Sequence, residues 1–154
     1  MIVAGLTGSI AMGKSTVGAM FAALGAPVFD ADAAVRLFYA GKGKETVEAM
    51  FPGVLESGRV DRDRLAQLVL TDPTALKRLE ALVHPAVADA EAGFIEHAAA
   101  EGRRFTIVDV PLLFETGGES EVDLVIVVSA PASVQRARAL RRERGRDSSS
   151  RPPG

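Results

Sequence analysis

Between an apolar run and a helical pattern stands Gly8-Ser9-Ile10-Ala11-Met12-Gly13-Lys14-Ser15, and no other stretch constrains the fold of this chain as strongly. It fits G-x-x-x-x-G-K-[ST], a loop whose backbone N–H groups cradle phosphates while the helix that follows favours negative charge at its N-terminus. Such a loop needs a strand before it and a helix after it. Ile2 to Leu6 reads as a short buried parallel strand. Val17, Met20, Phe21 and Leu24 then have helical spacing, with Gly25 where a helix C-cap belongs. In this arrangement Lys14 reaches the β- and γ-phosphates of a nucleoside triphosphate and Ser15 holds Mg²⁺.

The rest of the chain continues the alternation. Pro27-Val28-Phe29 predicts a second strand, ended by Asp30-Ala31-Asp32. Helical segments are expected over 32–40, 44–51, 61–70 and 73–83, with Asp61 opening the third and Asp72 capping the fourth ahead of Pro73. A further helix is expected after His84-Pro85, stopped by Gly102. Phe105 to Val110 and Val122 to Ser129 are nearly unbroken apolar runs, the pattern of strands buried on both faces, and Pro131 opens a last helix. Strands separated by crossovers of this length predict an α/β fold with a parallel sheet. At 154 residues, size alone predicts one domain. The run 143–154 is low in complexity and predicts disorder.

Several side chains stand where chemistry is done in such folds. Asp30 and Asp32 follow the second strand, at the carboxyl edge where α/β sheets bind ligands. One of them could accept a proton from an attacking hydroxyl while the other caps the next helix; Asp32 is favoured for chemistry because Asp30 lies nearer the strand. Asp109 ends an apolar strand, which fits either a Mg²⁺-holding carboxylate or a loop-entry aspartate. His84, before a proline, fits a helix-end cap at least as well as a ligand contact. The absence of cysteine excludes disulfides and thiolate nucleophiles, and two distant histidines do not support a zinc site.

Composition adds limits. The N-terminal MIVAGLTGS has neither a basic start nor a cleavage pattern, and no apolar run is long enough for a membrane helix, so a cytoplasmic protein without membrane partners is expected. Seven arginines fall between Arg136 and Arg151 against Glu143 and Asp147. No aromatic residue interleaves them, which argues against a nucleic-acid surface.

Taken together, Ile2 to Thr16, Gly25 to Asp32 with Arg36, His84-Pro85, Asp109-Val-Pro-Leu-Leu-Phe-Glu115, and Val127 to Pro131 with Gln135, Arg138 and Arg142 resemble the dephospho-coenzyme A kinases. The motifs fall in that family's order over residues 1–142. The resemblance implies a P-loop NTPase sheet of the nucleoside-monophosphate-kinase-like type. It implies ATP and Mg²⁺ as cofactors and dephospho-CoA as the substrate phosphorylated on its 3′-hydroxyl. ATP would lie on Gly8, Ala11, Met12, Gly13, Lys14, Ser15, Thr16, Arg138 and Arg142, with Ser15 and Asp109 at the metal. Asp32 and Lys14 would be catalytic, and Asp32, Arg36 and His84 would line the acceptor site, within helical segments spanning about 32–101.

There are two departures from the family pattern. Ser9 and Ala11 stand where the family usually has glycine, and a Cβ penalises some backbone conformations open to glycine. After Arg142 the text matches nothing in the family, so the lid and last strand are expected to be missing. Leu124 to Val128 would then form an exposed apolar edge prone to self-association. Two rival readings remain: another small-molecule P-loop kinase, or a fragment that binds nucleotide without turnover.

Overall fold

The computed structural model describes residues 1–9, 11–110 and 117–149, the side chains of residues 119 and 142–149 excepted. The Pro111 to Glu115 part of the family motif, the Arg142 side chain and the end of the expected disordered run therefore lie outside the described residues.

The chain divides into two compact units, residues 1–29 with 98–154, and residues 30–97. The first holds the parallel sheet expected from the apolar runs. Strand β1 (Ile2–Thr7) leads into helix α1 (Lys14–Ala23), and β2 (Val28–Asp30) follows. Near the other end come β5 (Phe105–Asp109), a 3₁₀ turn (Gly118–Glu121), β6 (Leu124–Val127) and α6 (Ala132–Ser149). The sheet runs in the order β2-β5-β1-β6, with β1 paired in parallel to β5 on one side and β6 on the other. Ala4, Leu6 and Ile107 are its fully covered centre, flanked by Val17, Phe21, Val28, Phe105 and Ile126. Both faces of β1 are covered, which is why its sequence is apolar without alternation. Among the described residues β6 pairs only with β1, so it forms the edge that the sequence reading expects to self-associate.

The second unit was not expected from size. It is built from α2 (Ala31–Ala40), α3 (Lys44–Met50), β3 (Leu55–Glu56), β4 (Arg59–Val60), α4 (Arg62–Leu70) and α5 (Pro73–Ala100), whose last three residues belong to the first unit. It has a separate core of Tyr39, Val47, Phe51, Val54, Val60, Leu65, Val69, Leu79 and Val83, which is what makes it a unit. Helix starts fall where the sequence places them. The Asp61 carboxylate accepts from the N–H groups of Asp63 and Arg64, and that of Asp72 from Thr74 and Ala75.

Two local expectations are corrected. The hairpin β3–β4 was missed: Ser57 and Gly58 both take left-handed conformations, φ 50° and 76°, which is the turn that a two-residue antiparallel hairpin needs. Before it, Glu48 accepts from the N–H groups of Gly53 and Leu55 at 2.8 and 2.9 Å, and these donors hold its carboxyl below the usual range. The second correction concerns the expected break at His84-Pro85. Helix α5 runs through it for 28 residues with Pro85 inside. Proline removes one N–H donor and crowds the carbonyl four residues back. Here Leu79, Leu82, Val83 and Val87 keep packing on the same core across that point, which holds the helix together. Helix α6 also continues to Ser149, past the start of the expected disorder at 143, through residues of good helix propensity such as Glu143, Arg144 and Arg146.

Candidate active site

The phosphate-loop sequence lies at the carboxyl ends of β1 and β5, and all of its described contacts are within the first unit. The loop is tight. Ala11 takes a left-handed conformation, φ 64°, and is buried, and Gly13 takes φ 102° as the N-cap of α1. The Gly13 carbonyl then accepts from the N–H groups of Thr16 and Val17. A left-handed alanine costs about 1–2 kcal/mol relative to glycine, so this chain carries strain at the position where the family pattern avoids it.

Gly8 is fixed by sterics. A Cβ built on it would lie 2.6 Å from the Val128 carbonyl oxygen, where the Val128 N–H is itself bonded to the Thr7 carbonyl. Neither backbone can yield without opening the β1–β6 junction. Gly8→Ala is expected to lower stability by about 2–3 kcal/mol, as overpacking against a rigid wall does. A denaturant midpoint equal to that of the parent would contradict it.

The loop is held from two further directions. The Ala130 N–H contacts the Met12 sulfur at 3.1 Å, and an Arg138 guanidinium nitrogen donates to the Met12 carbonyl at 3.2 Å. The same guanidinium lies 3.1 Å from where a Gly13 Cβ would be. Arg138 therefore stands over the loop. The Lys14 ammonium is bonded to the Asp109 carboxylate, and both side chains are largely covered, at 18% and 13% exposure. Lys14 thus ties the start of α1 to the end of β5. The exposed hydroxyl of Ser15 and the carboxylate of Asp109 are hard oxygen donors. That set suits Mg²⁺, which takes one or two carboxylates and completes its shell with phosphate oxygens and water. Among the described residues no group of three acidic or histidine side chains could hold a metal unaided.

The remaining expected residues belong to the second unit. Asp30 is the helix cap of the pair: its carboxylate accepts from the Ala33 N–H at 2.8 Å and lies 3.6 Å from the Arg36 guanidinium. Asp32 is exposed in the first turn of α2 and makes no hydrogen bond or ion pair with any described residue. That leaves its carboxylate available. His84 is exposed along α5 rather than capping a helix end. Sequence reasoning missed two arginines, Arg59 and Arg62, that line a cavity with Arg36. The Ser57-Gly58 turn signal would have placed them.

Known proteins share much of this sequence and its fold. The profile of the dephospho-CoA kinase family matches residues 1–150. A dephospho-CoA kinase of Brucella melitensis is 51% identical over 142 residues, 92% of this chain and 71% of that one. Another, of Mesorhizobium japonicum, is 55% identical over 143 residues, 92% of this chain and 72% of that one. Among solved structures, the Thermus thermophilus protein TT1252 superposes with a TM-score of 0.79 at 37% identity, covering 92% of this chain and 72% of that one. A dephospho-CoA kinase from Campylobacter jejuni shares the fold, with a TM-score of 0.63 at 18% identity over 92% of this chain and 95% of that one. With the loop, its lysine and its strand-end aspartate in place, and a profile match over nearly the whole sequence, the chain belongs to the dephospho-CoA kinase family.

Proposed function

We propose that this chain transfers the γ-phosphoryl group of ATP to the 3′-hydroxyl of dephospho-CoA, giving CoA and ADP. The observation that carries the reading is the Lys14–Asp109 pair at the phosphate loop in a chain that this family's profile matches over residues 1–150. The amides of the loop, with Gly8, Ala11, Met12, Gly13 and Thr16 around Lys14, bind the triphosphate. Lys14 exchanges its carboxylate partner for the β- and γ-oxygens. Ser15 and Asp109 would hold Mg²⁺, which would supply charge neutralisation at the phosphates. Arg138, already donating beside Gly13, faces the same charge, and Arg142 belongs to the same helix.

On the acceptor side, Asp32 orients the 3′-hydroxyl and takes its proton as the oxygen attacks phosphorus and the bond to the β-phosphate oxygen breaks. Arg36 and His84 bind the rest of the acceptor. Positioning and electrostatics supply most of the rate in chemistry of this kind. The reaction is assigned to the cytoplasm, where ATP is at hand.

The test is incubation of the chain with ATP, Mg²⁺ and dephospho-CoA, or adenosine, shikimate or a nucleoside monophosphate in its place. Mass spectrometry should find 3′-phosphorylated product with dephospho-CoA and far less with the others. ATP binding without any such product would support the nucleotide-binding rival instead.

A further inference from the structure

Within the second unit lies an open cavity of about 590 Å³, a volume in the range of small-molecule sites. Its walls come from α2, β4 and the first turn of α4. Arg36, Arg59 and Arg62 line it together with Tyr39, Leu37 and Val60, and no carboxylate does. Arg36 has the only carboxylate partner of the three, Asp30 at 3.6 Å; Arg59 and Arg62 make no side-chain hydrogen bond or ion pair with any described residue. The nearby Asp61 carboxylate is engaged in capping α4 and pairing with Arg64.

Three guanidinium groups around one concavity repel one another, and nothing in the described walls offsets this. Arg62 is moreover the first residue of α4, where the helix dipole disfavours a cation. The positions are nonetheless held firmly. Val60, between the two arginines, is buried in the unit's core, and the Glu48 carboxylate anchors the backbone leading into the hairpin. Tyr39 is buried beneath, and that burial pushes its hydroxyl up from the ordinary value against the opposing pull of Arg62. It stays protonated and remains a neutral donor in the wall.

We propose that Arg59 and Arg62, together with Arg36, form a subsite that binds the diphosphate group of the acceptor. This rests on the reading of dephospho-CoA as acceptor, since that molecule carries a diphosphate between its adenosine and its pantetheine arm. Guanidinium forks match phosphate oxygens two at a time, and a diphosphate offers adjacent charges that a row of such forks can share. The hairpin thereby becomes part of the substrate site.

Calorimetry on the full chain tests this without relying on turnover. Dephospho-CoA is titrated into the parent, Arg59→Gln, Arg62→Gln, their lysine counterparts, and Lys77→Gln as an exposed control on α5. Each glutamine variant should weaken binding roughly tenfold or more, as loss of a charge-assisted hydrogen bond does, with partial recovery in the lysine variants and none of this in Lys77→Gln. ATP affinity should stay within about twofold throughout. Inorganic pyrophosphate should bind the parent, compete with dephospho-CoA and lose its binding in the Arg59/Arg62 double variant. Unchanged dephospho-CoA affinity in both glutamine variants would overturn the proposal. Pyrophosphate that binds without competing would overturn it too, by showing a separate anion site. A parent that binds dephospho-CoA through these arginines yet never phosphorylates it would remove the proposed reaction and leave this subsite standing.

Discussion

Lys14→Ala should lower phosphoryl transfer by about 10²–10³-fold, the loss that follows removal of one fixed charge from a developing phosphoryl oxyanion. The same change should weaken ATP binding, because the ammonium meets the triphosphate before transfer as well as during it. It should also destabilise the chain without ligand. The Asp109 carboxylate would lose its cationic partner while still largely covered. With both groups retaining some solvent contact, the cost is about 1–2 kcal/mol rather than the larger figure for a fully buried pair. Three measurements separate these effects: steady-state rates, ATP titration and a denaturation curve. Parent-like ATP affinity in Lys14→Ala would remove this residue from the phosphate site. Lys14→Met, which keeps the apolar stem, shows how much of the stability change is packing.

The second large effect is expected from Asp32→Asn, which should reduce kcat by about 10²–10⁴-fold, the usual contribution of a positioned general base. ATP affinity and stability should be nearly unchanged, because the carboxylate is exposed and makes no hydrogen bond or ion pair with described residues. Asp30→Asn is the matched comparison. Asparagine caps a helix about as well as aspartate, so α2 should keep its start, while the exposed pair with Arg36 is lost at a cost of about 0.5 kcal/mol. Should Asp30→Asn lose turnover and Asp32→Asn keep it, the two roles are the reverse of those proposed.

The parts of this molecule legible in the sequence are those where one physical requirement dominates. Strands β1 and β5 are apolar on both sides because both faces are covered, whereas β6, equally apolar in sequence, leaves Leu124 and Val127 exposed; the phosphate loop keeps its glycines where backbones meet. Asp61 and Asp72 are recognisable as caps because short acidic side chains satisfy the free N–H groups that follow them. The misses share a different cause. A proline usually ends a helix, and only packing of Val83 and Val87 on a common core, invisible in the local sequence, carries α5 through Pro85. Strands β3 and β4 have two residues each, too few for periodicity to register. The Lys14–Asp109 pair joins positions that lie far apart in the chain, and the arginine-lined cavity needs α2 and β4 brought together. Which of Asp30 and Asp32 is the cap also required the structure, since either spelling is acceptable to a helix.

The position of β1 has a consequence for how this chain is made. Within this sequence it is made before the strands it pairs with, since its hydrogen-bonding partners are β5 and β6, about a hundred residues further on. Closing so long a loop costs entropy before any pairing offsets it, and contacts of this kind form slowly. Residues 30–97, by contrast, complete their own core from neighbouring segments. Synthesis therefore favours an order in which the inserted unit folds early, while Ile2 to Leu6 remain unpaired and apolar until Phe105 to Val127 emerge. Through that interval the nascent chain presents a β-prone segment with nothing to pair with, the kind of stretch that chaperones shield during translation.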